Sequence, residues 1–245
     1  MLKEIKFNKY QKRGAYHWQQ IAKNIFTFNA YVSIRYQQVV NQIPRQKSLK
    51  ILDIGCGDGV LAYLISQKIR ADITGIDIDF SAIKFARQQF KNQNIKARFL
   101  KSSAYKLPFK KQFFDVVIAT EIIEHLGKPE IMLKEIKRVL KPKGKIIITT
   151  PIKLSDILED KMHIKEFTPK ELSQALTKYF TNITIKTSHP FWLKKIYLFG
   201  LVKLGQYHFE PFRWLINLWI ILTKLNPFLL SSKNDTSQMA VCFKF

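Results

Sequence analysis

From residue 49 onward, short apolar runs of β type alternate with segments of helical spacing, and this alternation narrows the possible folds more than any other feature. LKILDIG (49–55) reads as a strand, Gly55 to Gly59 as a tight turn and VLAYLISQKI (60–69) as a helix. DITGIDI (72–78) is a second strand, followed by a helix over SAIKFARQQF (81–90) with Ser81 as its expected N-cap. Strands are expected over ARFLKSS (97–103), FDVVIAT (114–120) and GKIIITTP (144–151), with a helix over PEIMLKEIKRVLK (129–141). A helix over PKELSQALTKYF (169–180) and strands over NITIKTS (182–188) and MAVCFKF (239–245) complete the pattern. Such alternation calls for right-handed crossovers and a largely parallel sheet covered on both faces. Ligands of these sheets bind at the carboxyl ends of the strands.

The turn LDIGCGDG (52–59) sets three glycines at every second position directly after a strand. Glycine there permits positive φ and brings a ligand close to bare backbone, while the following helix offers unpaired N–H groups. The G-x-G-x-G spacing differs from the dinucleotide fingerprint, and Asp53 and Asp58 would repel a pyrophosphate, so a zwitterionic or cationic ligand fits better. Asp77 ends the second strand, where it can accept from both hydroxyls of a ribose.

LDIGCGDG, GIDID (75–79), LPF…FDVVIATEIIEHL (107–126) and LKPKGKIIITTP (140–151) together resemble the class I S-adenosylmethionine (SAM) dependent methyltransferases, in order and spacing, over about residues 50–190. That resemblance implies an α/β fold, a three-layer Rossmann-like seven-stranded sheet, mostly parallel with an antiparallel last strand. It also implies a cofactor site. Asp53 and the Gly55, Cys56, Gly57 and Gly59 turn would surround the methionine end of SAM, with Asp77 and Ile78 at the ribose. Ser103 and Ala104 would lie beside the adenine, and Thr120 would face the methionine end. The family usually carries an acid at the Ser103 position, so a single neutral bond and a weaker adenine contact are expected here.

Methyl transfer is an in-line displacement that needs a base only when the acceptor starts protonated. Glu121, Glu124 and His125 follow the fourth strand at the cleft, and His163 follows the fifth. Three readings of these residues stand open. Glu121 and Glu124, at i and i+3 on one helical turn, could bind a divalent ion with His125 and His163. This pattern is similar to metal-dependent O-methyltransferases of ubiquinone biosynthesis and to small-RNA terminal 2′-O-methyltransferases, which implies Mg²⁺. Alternatively His125 or His163 is a metal-free general base, with Glu121 beside it, or the residues are structural.

Outside the core, residues 1–48 form a helical, aromatic-rich cap in which Tyr16, His17 and Trp18 are read either as a lid or as plain packing. The core is expected over 49–188, a hydrophobic helical insertion over 189–237 and the last core strand over 238–245. On a helix, 212–225 carries Arg213, Asn217 and Lys224 on one narrow stripe and large apolar residues elsewhere. Its cover could be the enzyme's own cleft, a second copy or a lipid surface. Trp214 and Trp219 with nearby cations suit an interfacial helix on an anionic membrane.

Charge and cysteines bound the rest. Lys and Arg number 41 against 18 Asp and Glu, a net +23, but 33 of the 41 are Lys, spread evenly. Nucleic-acid readers favour the Arg fork, so nucleic acid is an unlikely partner. Cys56 and Cys242 make no disulfide framework, and the N-terminal residues lack the apolar run of a secretory signal, so a cytoplasmic setting is expected, with peripheral contact to the inner face of the membrane. The expected activity is SAM-dependent methylation of a small or lipophilic acceptor, on oxygen, with an RNA methyltransferase or a non-catalytic SAM-binding scaffold as alternatives.

Overall fold

The computed structural model describes residues 9–46, 48–199, 202–204 and 207–245. The first eight residues of the expected cap lie outside the described residues. Three helices precede the sheet: α1 (Lys9–Arg13), α2 (Tyr16–Ile21) and α3 (Ala30–Gln42). Then follow β1 (Leu49–Ile54), α4 (Val60–Ser66), β2 (Ala71–Asp77), α5 (Phe80–Asn92), β3 (Arg98–Lys101) and β4 (Phe114–Thr120). After a 3₁₀ turn at Ile123–His125 come α6 (Pro129–Val139), β5 (Leu140–Pro151), α7 (Pro169–Thr177) and β6 (Thr181–Pro190). The insertion comprises α8 (Phe191–Leu198), a short hairpin of β7 (Val202–Leu204) and β8 (Tyr207–Phe209), and α9 (Pro211–Thr223). A 3₁₀ turn at Pro227–Leu229 leads into β9 (Asp235–Phe243).

Seven strands form one sheet in the order β3-β2-β1-β4-β5-β9-β6. Only β9 runs antiparallel to its neighbours. The period-two alternation of the strands feeds two separate cores. Ile51, Ile73, Val116, Ile118 and Ile147 face α3, α4 and α5, whereas Leu52, Ile54, Val117, Ala119, Ile146 and Ile148 face α6 and α7. Both faces are therefore dry, as a parallel sheet requires. Strand order reverses between β1 and β4, which places the ligand crevice above the carboxyl ends of these two strands.

Several boundaries differ from expectation for local reasons. Ser81 is not the N-cap of α5: Asp79 caps it, its carboxylate accepting the Ser81 N–H at 2.8 Å. Helix α7 starts at a reciprocal capping box between Thr168 and Glu171 and ends at Thr177, short of the expected 180. Strand β9 begins at Asp235 because β6 continues through Pro190 and pairs with it there. The insertion thus occupies 191–234.

The cap is fastened to the glycine turn. Buried Asp58 accepts the backbone N–H of His17 at 3.0 Å and lies 3.2 Å from its Nδ1, while the Trp18 indole donates to the Asp58 carbonyl at 2.8 Å. Trp18 also stacks on Tyr63 of α4. Asp58 therefore serves the cap and not the ligand. Replacing it with Ala leaves the His17 N–H without its acceptor, at a cost of about 2 kcal/mol. In Asp58→Ala we expect earlier proteolytic cleavage between residues 10 and 24 and a red-shifted Trp18 emission. Unchanged cleavage would mean that aromatic packing alone holds the cap.

Candidate active site

Above β1 and β4 lies a cavity of about 330 Å³. Its floor is the glycine turn, where Gly55, Gly57 and Gly59 all take positive φ, 71°, 54° and 81°. A side chain at Gly57 would collide with the Tyr10 hydroxyl, which roofs the turn from α1. Gly59 stands apart from the other two: it caps α4 and packs toward Ala86, Phe90 and Phe99 without lining the cavity. Cys56 lines the cavity as a small buried side chain, and burial pushes its thiol well up, which leaves it inert.

Asp77 holds the turn in place. Its carboxylate accepts the N–H of Gly57 at 2.9 Å and that of Asp79 at 2.8 Å, and the N–H groups of Gly55 and Cys56 both donate to the Ile76 carbonyl. Burial raises the Asp77 carboxyl despite these bonds. Ile78, Ser103 and Ala104 continue the wall beside it. The Ser103 Oγ accepts the Tyr105 N–H at 3.2 Å, so part of its capacity serves the loop.

Asp53 is 1% exposed, and its Oδ2 has no partner among the described residues. Burial first, and the nearby Asp77 second, push its carboxyl up to about 8. Thr120 Oγ1 is likewise buried without a partner at the tip of β4. An orphaned carboxylate oxygen beside open backbone fits the ammonium and sulfonium end of SAM, which would supply the missing counter-charge.

The second half of the cavity holds Glu121, Glu124, His125 and His163. Glu121 and Glu124 do not share a helical turn. Glu121 takes a left-handed φ of 54°, and only Ile123–His125 coil. Glu121 is instead held by Arg35 of α3 at 2.5 Å and by Thr149 Oγ1 at 3.0 Å. Glu124 is fully buried, and burial with the neighbouring Glu121 raises its carboxyl well above the usual range. Thr150 donates to its Oε2 at 2.9 Å, and Oε1 has no partner among the described residues.

The histidines face each other with ring centres 5.0 Å apart. His125 Nδ1 lies 2.9 Å from the Met162 carbonyl, so this nitrogen carries the proton, and burial lowers the pKa of the ring. His163 Nδ1 lies 2.6 Å from Oε1 of Glu166, a carboxylate only 3% exposed. Glu166 is the functional residue that the sequence reading missed, although its position three residues after His163 was a usable signal. Glu124, His125 and His163 offer ligand atoms all within 4.8 Å of one another, and Glu121 is outside that group. The set can hold a divalent ion. Two imidazoles and one carboxylate suit a softer ion than Mg²⁺, which prefers an all-oxygen shell.

A family model described as a methyltransferase domain matches residues 45–196, more than half of the chain. Ubiquinone biosynthesis O-methyltransferase of Rickettsia bellii (strain OSU 85-389) is 38% identical over 122 residues, which cover 48% of this chain and 50% of that protein. Sterol 4-C-methyltransferase strm-1 of Caenorhabditis elegans is 27% identical over 157 residues, 63% of this chain and 47% of that protein. The chain thus spans about half the length of the curated relatives it matches. Haemonchus contortus phosphoethanolamine N-methyltransferase 2, solved in complex with SAM, shares the fold with a TM-score of 0.68 at 18% identity, over 98% of this chain and 60% of that one.

The protonated state of Asp53 makes a specific demand on binding. A cation favours the ionised carboxylate, so at pH 7 Asp53 must release its proton as SAM enters, and affinity rises as pH climbs through about 8. Calorimetry at pH 7 in buffers of different ionisation enthalpy should show proton release, and Asp53→Asn should abolish it and weaken binding by about tenfold or more.

Proposed function

The chain belongs to the class I SAM-dependent methyltransferase family, and from that premise we propose that it transfers the methyl group of SAM to a hydroxyl oxygen of a small, lipophilic acceptor. The observation that carries this reading is His163, which lines the cavity with Asp53 and Asp77 and is backed from behind by Glu166, with Nδ1 2.6 Å from its Oε1.

Asp77 takes the ribose hydroxyls, and the turn with Asp53 takes the methionine end. Ser103 and Ala104 flank the adenine, and Thr120 marks the methyl side. The sulfonium already carries the driving force, so the protein mainly aligns donor and acceptor and keeps water out. Glu166 fixes the His163 tautomer with its proton on Nδ1, leaving Nε2 to take the hydroxyl proton. The acceptor oxygen then bonds to the methyl carbon as the carbon–sulfur bond breaks, giving the methyl ether and S-adenosylhomocysteine. Glu121, neutralised by Arg35, shapes the site and does not act as the base.

A second reading rests on the close packing of Glu124, His125 and His163. These three residues would hold a divalent ion whose contribution, when bound, is to lower the pKa of the acceptor hydroxyl and orient it. Glu166 would then stand behind His163 as the carboxylate partner of a ligating imidazole. A lipophilic acceptor also implies peripheral contact with an anionic membrane. An RNA acceptor finds less support, because the cations are mostly Lys and dispersed along the chain.

Activity in a lysate of the source cell separates these possibilities, read as tritium moved from methyl-labelled SAM into organic, nucleic-acid and protein fractions. Label is expected in the organic fraction. His163→Ala should lower kcat by about 10²-fold or more and Glu166→Gln by less, both with SAM affinity intact. Loss of activity with chelator, restored by Mn²⁺ or Zn²⁺, would favour the metal reading, whereas full activity of His163→Ala would exclude both.

A further inference from the structure

Helix α9 is turned inside out. Its polar side chains face the protein: Asn217 Nδ2 donates to the carbonyls of Ile25 and Phe28 at 2.8 and 2.9 Å, and the Tyr197 hydroxyl donates to Asn217 Oδ1 at 2.9 Å. Arg213 points the same way, to Glu210 at 2.7 Å and to the Phe28 carbonyl at 3.2 Å. The side turned outward carries Phe212, Leu215, Leu218, Trp219 and Leu222. A helix on a water-facing surface has the opposite orientation. Neighbouring α8 extends the same apolar surface with Trp192, Ile196 and Leu198. Next to it, Leu154, Ile157 and Leu158 share with α8 a groove of about 680 Å³.

We propose that this face is an interfacial membrane anchor, in which α8 and α9 lie flat in the headgroup layer of an anionic bilayer. The inference deepens the lipophilic-acceptor reading by naming where such an acceptor is met, but the docking itself needs no acceptor. Charge decides the occupant. Residues 189–237 contain six Lys and Arg against two acids. Both acids are engaged, Glu210 with Arg213 and Asp235 with Ser231 and Ser232. Lys195, Lys224 and Lys233 remain exposed around the apolar residues. Two copies placed face to face would set these cations against each other, whereas anionic headgroups complement them. Trp192 and Trp219, each about half exposed, are the residue type that settles at the boundary between headgroups and acyl chains.

No helix among the described residues is long and apolar enough to cross a membrane, and the 13 residues of α9 reach only about 20 Å. The face therefore lies on the bilayer. It also adjoins the active site: Glu159 and Glu166 line the groove, while Asp160 and His163 line the catalytic cavity, so one loop divides the membrane side from the chemistry.

Flotation of the full chain with vesicles of phosphatidylcholine, with and without phosphatidylglycerol, tests the proposal. Binding is expected with phosphatidylglycerol at low salt and is expected to weaken at high salt. Leu215 and Leu222 are 64% and 72% exposed, so Leu215→Glu and Leu222→Glu leave the fold in place. Each should reduce vesicle partitioning by about tenfold or more. Calorimetric SAM binding by the same variants should match the parent protein, which keeps this outcome separate from failure of the methyltransferase reading. Two results would overturn the proposal: no partitioning into anionic vesicles, or partitioning indifferent to both substitutions. A dimer in sedimentation velocity that the same substitutions dissociate would assign the face to a second copy instead.

Discussion

The Asp77 carboxylate ties the turn after β1 to the segment that enters α5, and the floor of the cavity depends on this join. By taking the N–H groups of Gly57 and Asp79, it fixes the turn after β1 and the entry to α5 with one side chain. The turn must be glycine because all three alternate positions lie at positive φ. The Asp77 carboxylate oxygens retain lone pairs for a ligand beyond these two bonds. In the proposed reading, the stabilisation of the turn and the recognition of a ribose are thus properties of one group.

The cavity concentrates carboxyl groups without enough cations to balance them. Asp53, Asp77 and Glu124 are each raised by burial, and Arg35 neutralises only Glu121. In the free protein Asp53, pushed up to about 8, holds its proton at neutral pH. A ligand that brings positive charge favours its release, so the proposed recognition of a sulfonium and ammonium compound is tied to the desolvation of Asp53. In the other half, the histidines are held in direction because each Nδ1 is committed, one to the Met162 carbonyl and one to Glu166. Imidazoles fixed in this way can serve either as bases or as ligands, so the same geometry accommodates both readings of the chemistry.

The parallel sheet was legible because period-two and helical patterns differ sharply over 49–188, and the tight turn because alternate glycines directly after a strand point to positive φ. Contacts between distant segments were not legible. The i, i+3 spacing of Glu121 and Glu124 suggested a shared helical turn, but the left-handed backbone at Glu121 delays coiling until Ile123 and turns its side chain toward Arg35, 86 residues earlier. Asp58 reads in the sequence as a charge that would repel a pyrophosphate at the turn, yet its carboxylate is engaged by His17, 41 residues earlier. Glu166 was overlooked because an acid in a charged loop looks solvated until the fold buries it. The stripe of Arg213 and Asn217 was visible in the sequence, but its inward direction was not, because the partners are backbone carbonyls of the cap.

Those carbonyls give the insertion a role beyond its own surface. Asn217 holds the chain at Ile25 and Phe28, and the Tyr197 hydroxyl accepts the N–H of Ala30, the first residue of α3. One turn further along, α3 presents Arg35 to Glu121. The insertion therefore anchors the N-terminus of the helix that delivers the only arginine lining the described cavity. Because α9 gives Arg213 and Asn217 to this anchorage, its outer face is left almost entirely to apolar side chains. The same arrangement that positions Arg35 also exposes the apolar surface, so a helix rotated to hide that surface in water would lose its hold on the acceptor side of the site.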